Sequence, residues 1–304
     1  MKFYSRGKLL ISGEYLVLKG ATALTVPLNK GQNLVVSNGD NKAIISWESR
    51  EYGNPWFSTK IKLPFFDIIE STDQKLALNL IRHLKAAVKL QPDFKEKLAG
   101  ADIITDLEFK RSWGFGSSSS LVSNIAYWAE LDPFLLHQKV SDGSGYDVVV
   151  ARKDEPIFFT LKKRGFEEEK VKLNKSVTDF IYFVYLGKKK DSAKSVAKFL
   201  ASKKSFRLEK RMVSELSRHM AGAIRLEDFD FYMKEHEQIL SSILKQPGLK
   251  EHIFSDLKGE AKSLGAWGGD FAMITFNGEK KEIETYLKDK KLEVWFTWNE
   301  LVKT

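Results

Sequence analysis

The spacing of hydrophobic and polar residues predicts a chain that mixes strands and helices. Near the N-terminus, β-rich runs such as TALTVPL and QNLVVSN alternate with turn sequences such as SNGDN, which predicts an antiparallel start. Residues 73–90 place leucine, isoleucine and valine at helical spacing, and a second helical pattern runs from Ser117 to Glu130. Strands and helices do not alternate strictly, so the pattern favours the α+β class.

The second half of the chain continues this mixture. IFFTL and the apolar run FIYFVYL at 180–186 are predicted strands separated by a charged turn, and helical patterns cover roughly 191–246. The end of the chain returns to strands, DFAMITF and LEVWFTW, around a short helix near KKEIETYLKD. Because 304 residues exceed what one core usually spans, we expect two domains, 1–160 and 161–304.

Composition places the chain among globular proteins. Hydrophobic residues make up 43% of it, enough to fill a core, which argues against a disordered chain. Cysteine is absent, so disulfides, thiolate metal sites and a cysteine nucleophile are excluded, and a cytoplasmic location is expected. Arg6, Lys8 and Glu14 interrupt the N-terminal apolar residues, so no signal peptide is expected, and no apolar run approaches the roughly 20 residues of a membrane helix.

The formal net charge of +9 suits an anionic partner, either nucleic acid or a phosphorylated small molecule. The lysines are spread along the chain and often stand beside glutamates, so a solvated surface explains most of this charge. The sequence has no arginine-rich tail that would favour nucleic-acid binding, and we do not expect nucleic acid as a partner. The histidines lack metal-ligand spacing, and no Gly-x-Ser-x-Gly sequence indicates a hydrolase.

The stretch WGFGSSSS carries the strongest chemical signal. Gly114 and Gly116 allow the backbone to approach a ligand closely, and the serines that follow open a helical pattern. Unpaired N–H groups and the positive end of the helix dipole bind anions at such a position, and the hydroxyls can bond phosphate or ligate magnesium. A simple glycine turn with a serine N-cap is the alternative, although one cap needs only one serine. The spacing differs from Gly-x-x-x-x-Gly-Lys-Ser/Thr, which excludes an ordinary P-loop.

This stretch resembles the Gly-Leu-Gly-Ser-Ser-Ala phosphate loop of the GHMP kinases, named for galactokinase, homoserine kinase, mevalonate kinase and phosphomevalonate kinase. RGKLLISGEYLVLKGATALTVPL is similar to the first motif of that family, and AKSLGAWGGDFAMITF is similar to the third. Between them, DGSGYDVVVA resembles the Ser-Gly-x-Asp segment. The motifs occur in the family's order and span nearly the whole chain.

The resemblance implies a two-lobed α+β fold, with an N-terminal lobe similar to ribosomal protein S5 domain 2 and a ferredoxin-like C-terminal lobe. It implies that Asp147 takes the proton from the substrate hydroxyl and that Lys8 lies beside it and balances charge on the transferring phosphoryl group. Taken alone, Asp147 would better fit a helix cap after the glycine turn. The implied ligands of the ATP phosphates are Gly114, Gly116, Ser117, Ser118 and Ser119, with Ser118 also touching Mg²⁺.

The resemblance also implies a set of substrate contacts. These are Glu14, Tyr15, Ser144, Gly145, Gly265, Ala266, Gly268 and Gly269. Tyr15 stands where the family usually has histidine, and Trp267 replaces a glycine of the third motif, which would narrow the site or require a different backbone path. Lys188, Lys189, Lys190 and Ser192 fit either a loop for a phosphorylated acceptor or a solvated surface.

The implied function is transfer of the γ-phosphoryl group of ATP to mevalonate or phosphomevalonate. Asp270 in WGGD sides with the phosphomevalonate branch, while GYDVV is also similar to a bacterial subgroup marked by Gly-Tyr-Asp-Ile-Ala. A homologue that binds nucleotide or metabolite without catalysis is the alternative. Decarboxylation of diphosphomevalonate is less favoured, because that branch generally lacks the lysine found here at position 8.

Overall fold

The computed structural model describes residues 1–187, 196–197, 199–202, 204–265, 267 and 270–304. The chain forms two compact units, each assembled from separate segments. The first unit comprises Met1–Gly7, Lys30–Arg111 and Phe115–Lys153, and the second comprises Lys8–Asn29, Ser112–Gly114 and Asp154–Thr304. A single division at residue 160 stays a prediction.

The first unit contains a mixed sheet with helices packed on it. Its strands are β1 (Lys2–Leu10), β2 (Thr22–Asn38), β3 (Ile44–Glu51), β4 (Asn54–Lys62), β5 (Asp67–Ser71) and β6 (Ala101–Leu107), and its helices are α1 (Gln74–Leu90), α2 (Phe94–Leu98), α3 (Ser117–Trp128), α4 (Pro133–Val140) and α5 (Tyr146–Val150). The strand order is β5-β4-β3-β6-β2. Of β1, only the residues up to Gly7 belong to this unit, and of β2, only those from Lys30 onward. Among these neighbours, β3 and β6 pair in parallel. The runs TALTVPL and QNLVVSN, predicted as separate β-rich runs, belong to the single strand β2.

Alternating burial explains why this sheet has one covered face. Every second residue of β6 is buried, and its partner β3 follows the same alternation. Their inward side chains, including Trp47 and Ile103, pack with Leu84 of α1 and Ile125 of α3 in one core. Helix α1 begins where Asp73 accepts a hydrogen bond from the Leu76 N–H at 3.0 Å.

The second unit contains the start of β2, a hairpin and a separate four-stranded sheet. Its further elements are β7 (Ile157–Leu161), β8 (Phe166–Lys170), α6 (Lys175–Thr178), β9 (Ile181–Tyr185), α7 (Arg207–Gly222), α8 (Leu226–Leu244), α9 (Leu249–His252), β10 (Ala261–Ser263), β11 (Phe271–Thr275), α10 (Lys280–Asp289), β12 (Trp295–Thr297) and α11 (Trp298–Leu301). The four-stranded sheet is antiparallel throughout, in the order β10-β11-β9-β12. The α+β class is therefore confirmed.

The buried face of that sheet packs on two of the unit's helices. Tyr182 and Ile274 lie in one core with Ile283 and Leu287 of α10 and with Leu249 of α9. The predicted charged turn after β7 is corrected, because it contains β8, which pairs antiparallel with β7 and so forms a hairpin. Among the described helices, none combines the length and apolarity needed to cross a bilayer.

Candidate active site

The glycine and serine loop opens helix α3 in the first unit. Gly116 is the N-cap residue, with left-handed φ and ψ of 89° and 42°, and no side chain caps the helix. Phe115 is fully buried and packs edge-on against Phe109, with ring centroids 5.7 Å apart, which anchors the loop. The 12-residue helix therefore begins with N–H groups that lack partners within the helix, and its N-cap is a glycine without a Cβ to block their approach. This arrangement suits an anion.

The four serines divide into an outward and an inward pair. Ser118 is exposed and Ser117 is half-buried. Ser119 and Ser120 are buried, and each hydroxyl donates to the Gly116 carbonyl oxygen at 3.0 Å. The Ser120 hydroxyl also lies 2.9 Å from Oε1 of Gln32. The exposed Ser118 hydroxyl is thus available to a ligand, whereas Ser120 contacts the sheet through Gln32 of β2.

Asp147 lies at the start of the short helix α5 in the same unit. Gly145 is the N-cap of that helix, with φ of 79°, so Asp147 is inside the helix rather than at its cap. The Asp147 carboxylate accepts a hydrogen bond from the Val148 N–H at 3.1 Å and remains half-buried. A Cβ at Gly145 would lie 2.7 Å from the Phe134 ring, and Ser144 is buried, so the turn before Asp147 is closely packed.

Lys8 and Gly114 meet in the second unit. Lys8 is on β1, and its ammonium donates to the Gly114 carbonyl oxygen at 3.2 Å. Gly114 has φ of 69°, and a Cβ there would lie only 2.2 Å from Oδ2 of Asp270. The lysine of the first motif, the first glycine of the glycine and serine loop and Asp270 therefore lie around one peptide group.

The first-motif residues Glu14 and Tyr15 are both buried. Glu14 is 1% exposed, and its carboxylate accepts a hydrogen bond from the ammonium of Lys262. Tyr15 has φ of 61°, and its ring lies 5.4 Å from that of Phe199. A role for Glu14 and Tyr15 in substrate binding stays a prediction.

The third motif is only partly described. Gly265 has φ of 69°, whereas Ala266, Gly268 and Gly269 lie outside the described residues. The loop residues Lys188, Lys189, Lys190 and Ser192 lie outside them as well. Trp267 is 2% exposed and has φ of 51°, a left-handed conformation that is unusual for a bulky residue. Its side chain belongs to a buried cluster with Tyr15 and Phe199, so the tryptophan packs inward.

Similar structures give this arrangement a context. No family model matches the chain, and no curated protein matches it by sequence. Solved structures do resemble it over its full length. The Streptococcus pneumoniae phosphomevalonate kinase in complex with phosphomevalonate and AMPPNP is 17% identical, with a TM-score of 0.70 over 98% of this chain and 99% of that chain. The Methanococcus jannaschii mevalonate kinase is 16% identical, with a TM-score of 0.72 over 100% and 98%. The Lactococcus lactis galactokinase complexed with galactose is 13% identical, with a TM-score of 0.69 over 97% and 92%.

The chain has the GHMP kinase fold. These neighbours are among the enzymes from which that superfamily takes its name, and the matches confirm the two-lobed α+β fold that the motifs predicted.

Sequence reasoning missed three residues that surround Glu14 within the GHMP kinase fold. Lys262, His236 and Glu237 are all buried in the second unit. Burial raises the pKa of Glu14, and the Lys262 ammonium opposes that rise. Burial also raises the pKa of Glu237 to about 7 and, together with Lys262, holds the pKa of His236 well below its usual range. Lys262 in AKSLGAWGGDFAMITF, a charged residue shortly before the glycines of the third motif, was the available signal for this cluster.

The loop fits a nucleotide phosphate and a magnesium ion on chemical grounds. Among the described residues, no group of three His, Cys, Asp or Glu side chains could hold a metal ion by itself. Magnesium bound with a nucleotide needs few protein ligands, because phosphate oxygens and waters supply most of its octahedral shell. The exposed Ser118 hydroxyl at the N-terminus of α3 is one oxygen ligand of the required kind.

Proposed function

We propose that this protein is an ATP- and Mg²⁺-dependent small-molecule kinase that transfers the γ-phosphoryl group of ATP to mevalonate or phosphomevalonate. The N-terminus of α3 carries the proposal, because a left-handed glycine N-cap followed by the exposed Ser118 would suit an anion, and it occurs in a GHMP kinase fold. One structural neighbour holds phosphomevalonate and AMPPNP in its own site. The net charge of +9 is compatible with two anionic substrates.

The nucleotide is proposed to lie against the glycine and serine loop. Backbone N–H groups at the start of α3, together with Gly114, Gly116, Ser117, Ser118 and Ser119, would bind its phosphates. Ser118 would contribute the hydroxyl ligand to Mg²⁺, since Ser119 donates its hydroxyl to the Gly116 carbonyl. When bound, Mg²⁺ neutralises phosphate charge.

Asp147 and Lys8 are proposed as the catalytic residues. The acceptor oxygen would attack the γ-phosphorus while the bond to the β,γ-bridging oxygen breaks, and ADP would leave. With mevalonate, Asp147 would accept the proton that the acceptor hydroxyl loses, and its half-buried carboxylate leaves it accessible for that role. The ionised phosphate of phosphomevalonate would attack without a base. Lys8 would stabilise negative charge, since its ammonium is held at the loop by the Gly114 carbonyl.

The remaining predicted contacts are proposed to surround the acceptor. They are Glu14, Tyr15, Ser144, Gly145, Gly265, Ala266, Gly268 and Gly269. Tyr15 offers a hydroxyl where a histidine is usual in the family, and a hydroxyl can both donate and accept a hydrogen bond. A cytoplasmic location is part of the proposal.

The proposal is tested by ADP release with Mg-ATP against mevalonate, 5-phosphomevalonate, homoserine and several sugars. We expect one of the first two acceptors to support turnover. If that acceptor is mevalonate, Asp147→Asn should lower turnover by at least a hundredfold because the base is lost. Turnover with homoserine or a sugar alone would reject the proposed substrate class but retain the kinase.

A catalytically impaired nucleotide- or metabolite-binding protein is the second candidate. The observation that favours it is Trp267, which takes a left-handed backbone conformation where the family motif has glycine. Calorimetry separates the two candidates, because a binding protein would hold Mg-ATP and consume none with any acceptor in the panel.

A further inference from the structure

Four titratable side chains share one buried region of the second unit. Glu14, His236, Glu237 and Lys262 are each between 0% and 5% exposed. Removing charged groups from water is costly, so buried ones are paired and hydrogen-bonded. We define Glu14, His236, Glu237 and Lys262 as the buried polar cluster.

Its central contact joins two sequence motifs. Lys262 donates from its ammonium to the Glu14 carboxylate, across 248 residues of chain, and to the Ser263 carbonyl oxygen at 2.9 Å. Glu14 follows Gly13 in the first motif, whereas Lys262 belongs to β10, which leads directly to Gly265 of the third. The pair therefore connects the backbone segments that carry both motifs.

Helix α8 supports both ends of this pair. His236 Nε2 accepts a hydrogen bond from the Gly13 N–H at 2.9 Å, and the neighbouring Glu237 accepts one from the Ser263 N–H at 3.1 Å. Because Nε2 is the acceptor, the histidine is neutral and its proton lies on Nδ1. Burial, which lowers the pKa of His236, keeps it in that form. One helix thus holds the backbone of the first motif and that of β10.

Stability alone explains such a cluster poorly. Replacing a buried ion pair with apolar residues of similar volume is often neutral or stabilising, so the pair is weak evidence for a contribution to stability. What the contacts do accomplish is to fix the Gly13 and Ser263 amides. Gly13 lies on the segment that connects Lys8 to Tyr15, and Ser263 lies two residues before Gly265.

We propose that the buried polar cluster positions the first and third motifs for phosphoryl transfer. The ion pair of Glu14 and Lys262 fixes the distance between the backbones of the two motifs. His236 holds the first-motif backbone at Gly13, and Glu237 holds the β10 backbone at Ser263. The role in transfer rests on the kinase function proposed above. Lys262, His236 and Glu237 are positioning residues, since they act through the backbone that carries Lys8, Tyr15 and Gly265.

Paired variants separate positioning from stability. Lys262→Met leaves Glu14 buried without its cation, and we expect at least a tenfold loss of kcat together with a lower midpoint of urea unfolding. Glu14→Gln combined with Lys262→Met removes both charges, and we expect the unfolding midpoint to recover while kcat stays at least tenfold low. Recovery of kcat together with stability would overturn the proposal.

A matched control comes from another lysine in the same unit. Lys250 donates to the carbonyl oxygens of Leu257 and Gly259. Both acceptors are backbone carbonyls, whereas Lys262 donates to a carboxylate. Lys250→Met should lower the unfolding midpoint and leave kcat within twofold of the parent. A comparable tenfold fall in kcat in this control would show that any loss of stability slows transfer, and would also overturn the proposal.

Amide hydrogen exchange tests this positioning without relying on catalysis. In His236→Leu we expect the Gly13 amide, and in Glu237→Leu the Ser263 amide, to exchange at least tenfold faster, with the amides of β6 unchanged as an internal reference. Unchanged exchange at Gly13 and Ser263 would overturn the positioning role. If the parent protein transfers no phosphoryl group, the proposed function fails by itself and exchange still decides whether the cluster positions these motifs.

Discussion

Two glycines with the same backbone angle make a matched test of close approach. Gly114 and Gly265 both have φ of 69°, but an added Cβ would lie 2.2 Å from Asp270 Oδ2 at Gly114 and within 4 Å of no described atom at Gly265. The left-handed backbone costs either alanine variant about 1–2 kcal/mol. We expect Gly114→Ala to lose clearly more unfolding free energy in urea than Gly265→Ala, because only the former also displaces Asp270.

A second variant identifies the cause of that difference. Asp270→Ala removes the carboxylate that the new methyl group would meet, so Gly114→Ala should cost less in the Asp270→Ala background than in the parent. Equal costs at Gly114 and Gly265 in the parent would contradict the geometry of this contact.

Glu237 gives the stability of the protein a specific pH dependence. Burial raises the pKa of its carboxyl from 4.5 to about 7 in the folded state, so the native protein binds the proton more tightly than the unfolded chain. The contribution of Glu237 to stability is therefore complete below pH 4.5 and is lost as the pH rises through about 7, by up to about 3 kcal/mol.

The change is measured as the difference between the parent and Glu237→Gln in urea unfolding across this pH range. Asp230, whose pKa burial raises to about 6, and His236 also titrate in folding, but they remain in both proteins. We expect the unfolding free energy of the parent to fall relative to that of the variant from pH 4.5 to pH 7. Parallel curves would show that the pKa of Glu237 is the same in the folded and unfolded chain, and would contradict the rise.

At the residue scale, the sequence indicated types of chemistry but not partners. Lys8, Asp147 and the serines were identifiable because they occur in short contiguous motifs. The contact between Glu14 and Lys262 spans 248 positions, and no local pattern encodes such a distance. Likewise, only the fold places Asp270 against Gly114.

Helix α3 supports a prediction about its two kinds of serine. Ser118→Ala removes an exposed hydroxyl, so unfolding free energy should change by less than about 0.5 kcal/mol while the Mg²⁺ concentration needed for half-maximal turnover rises. Ser120→Ala removes a buried hydroxyl that lies 2.9 Å from Gln32 Oε1 and 3.0 Å from the Gly116 carbonyl oxygen, and it should cost about 1–3 kcal/mol. Urea unfolding and a Mg²⁺ titration of turnover measure these effects. A large loss of stability in Ser118→Ala would contradict the outward position of its hydroxyl.

At the element scale, periodicity succeeded where one face of an element is buried. Helix α1 and the strand β9 lie within a residue of their predicted bounds, because both have strong apolar patterns. The sequence pattern did not predict the strand β8, because its residues FEEEK are mostly charged and exposed and are typical of a turn. Its pairing with β7 decides its conformation, and that pairing is tertiary information.

For the whole molecule, nucleotide binding should appear as a gain in stability. A ligand that binds only the native state adds about 2.7 kcal/mol at a concentration 100 times its Kd. We expect Mg-ATP to raise the midpoint of thermal unfolding and AMP to raise it much less, because the loop at α3 is proposed to bind the β- and γ-phosphates. Equal shifts with AMP and Mg-ATP would place recognition at the nucleoside and contradict the phosphate role of the loop.

The whole fold was predictable because several motifs occur in one order along the chain. The composition of the two units was less accessible. Residues 22–25 of β2 pair with β7, so the second unit joins Lys8–Asn29 to a segment that begins at Asp154. Hydrophobic periodicity reports which face of a strand is buried, but it does not report which distant strand becomes its neighbour.

The most direct test of the central claim is to follow the γ-phosphoryl group itself. The protein is incubated with γ-labelled ATP, Mg²⁺ and either mevalonate or 5-phosphomevalonate, and the labelled products are separated. We expect label in a new organic phosphate in equal amount to the ADP formed and, if the acceptor is mevalonate, loss of both products in Asp147→Asn. Label found only in inorganic phosphate, or remaining in ATP with both acceptors, would contradict the assignment of this GHMP fold as a mevalonate-type kinase.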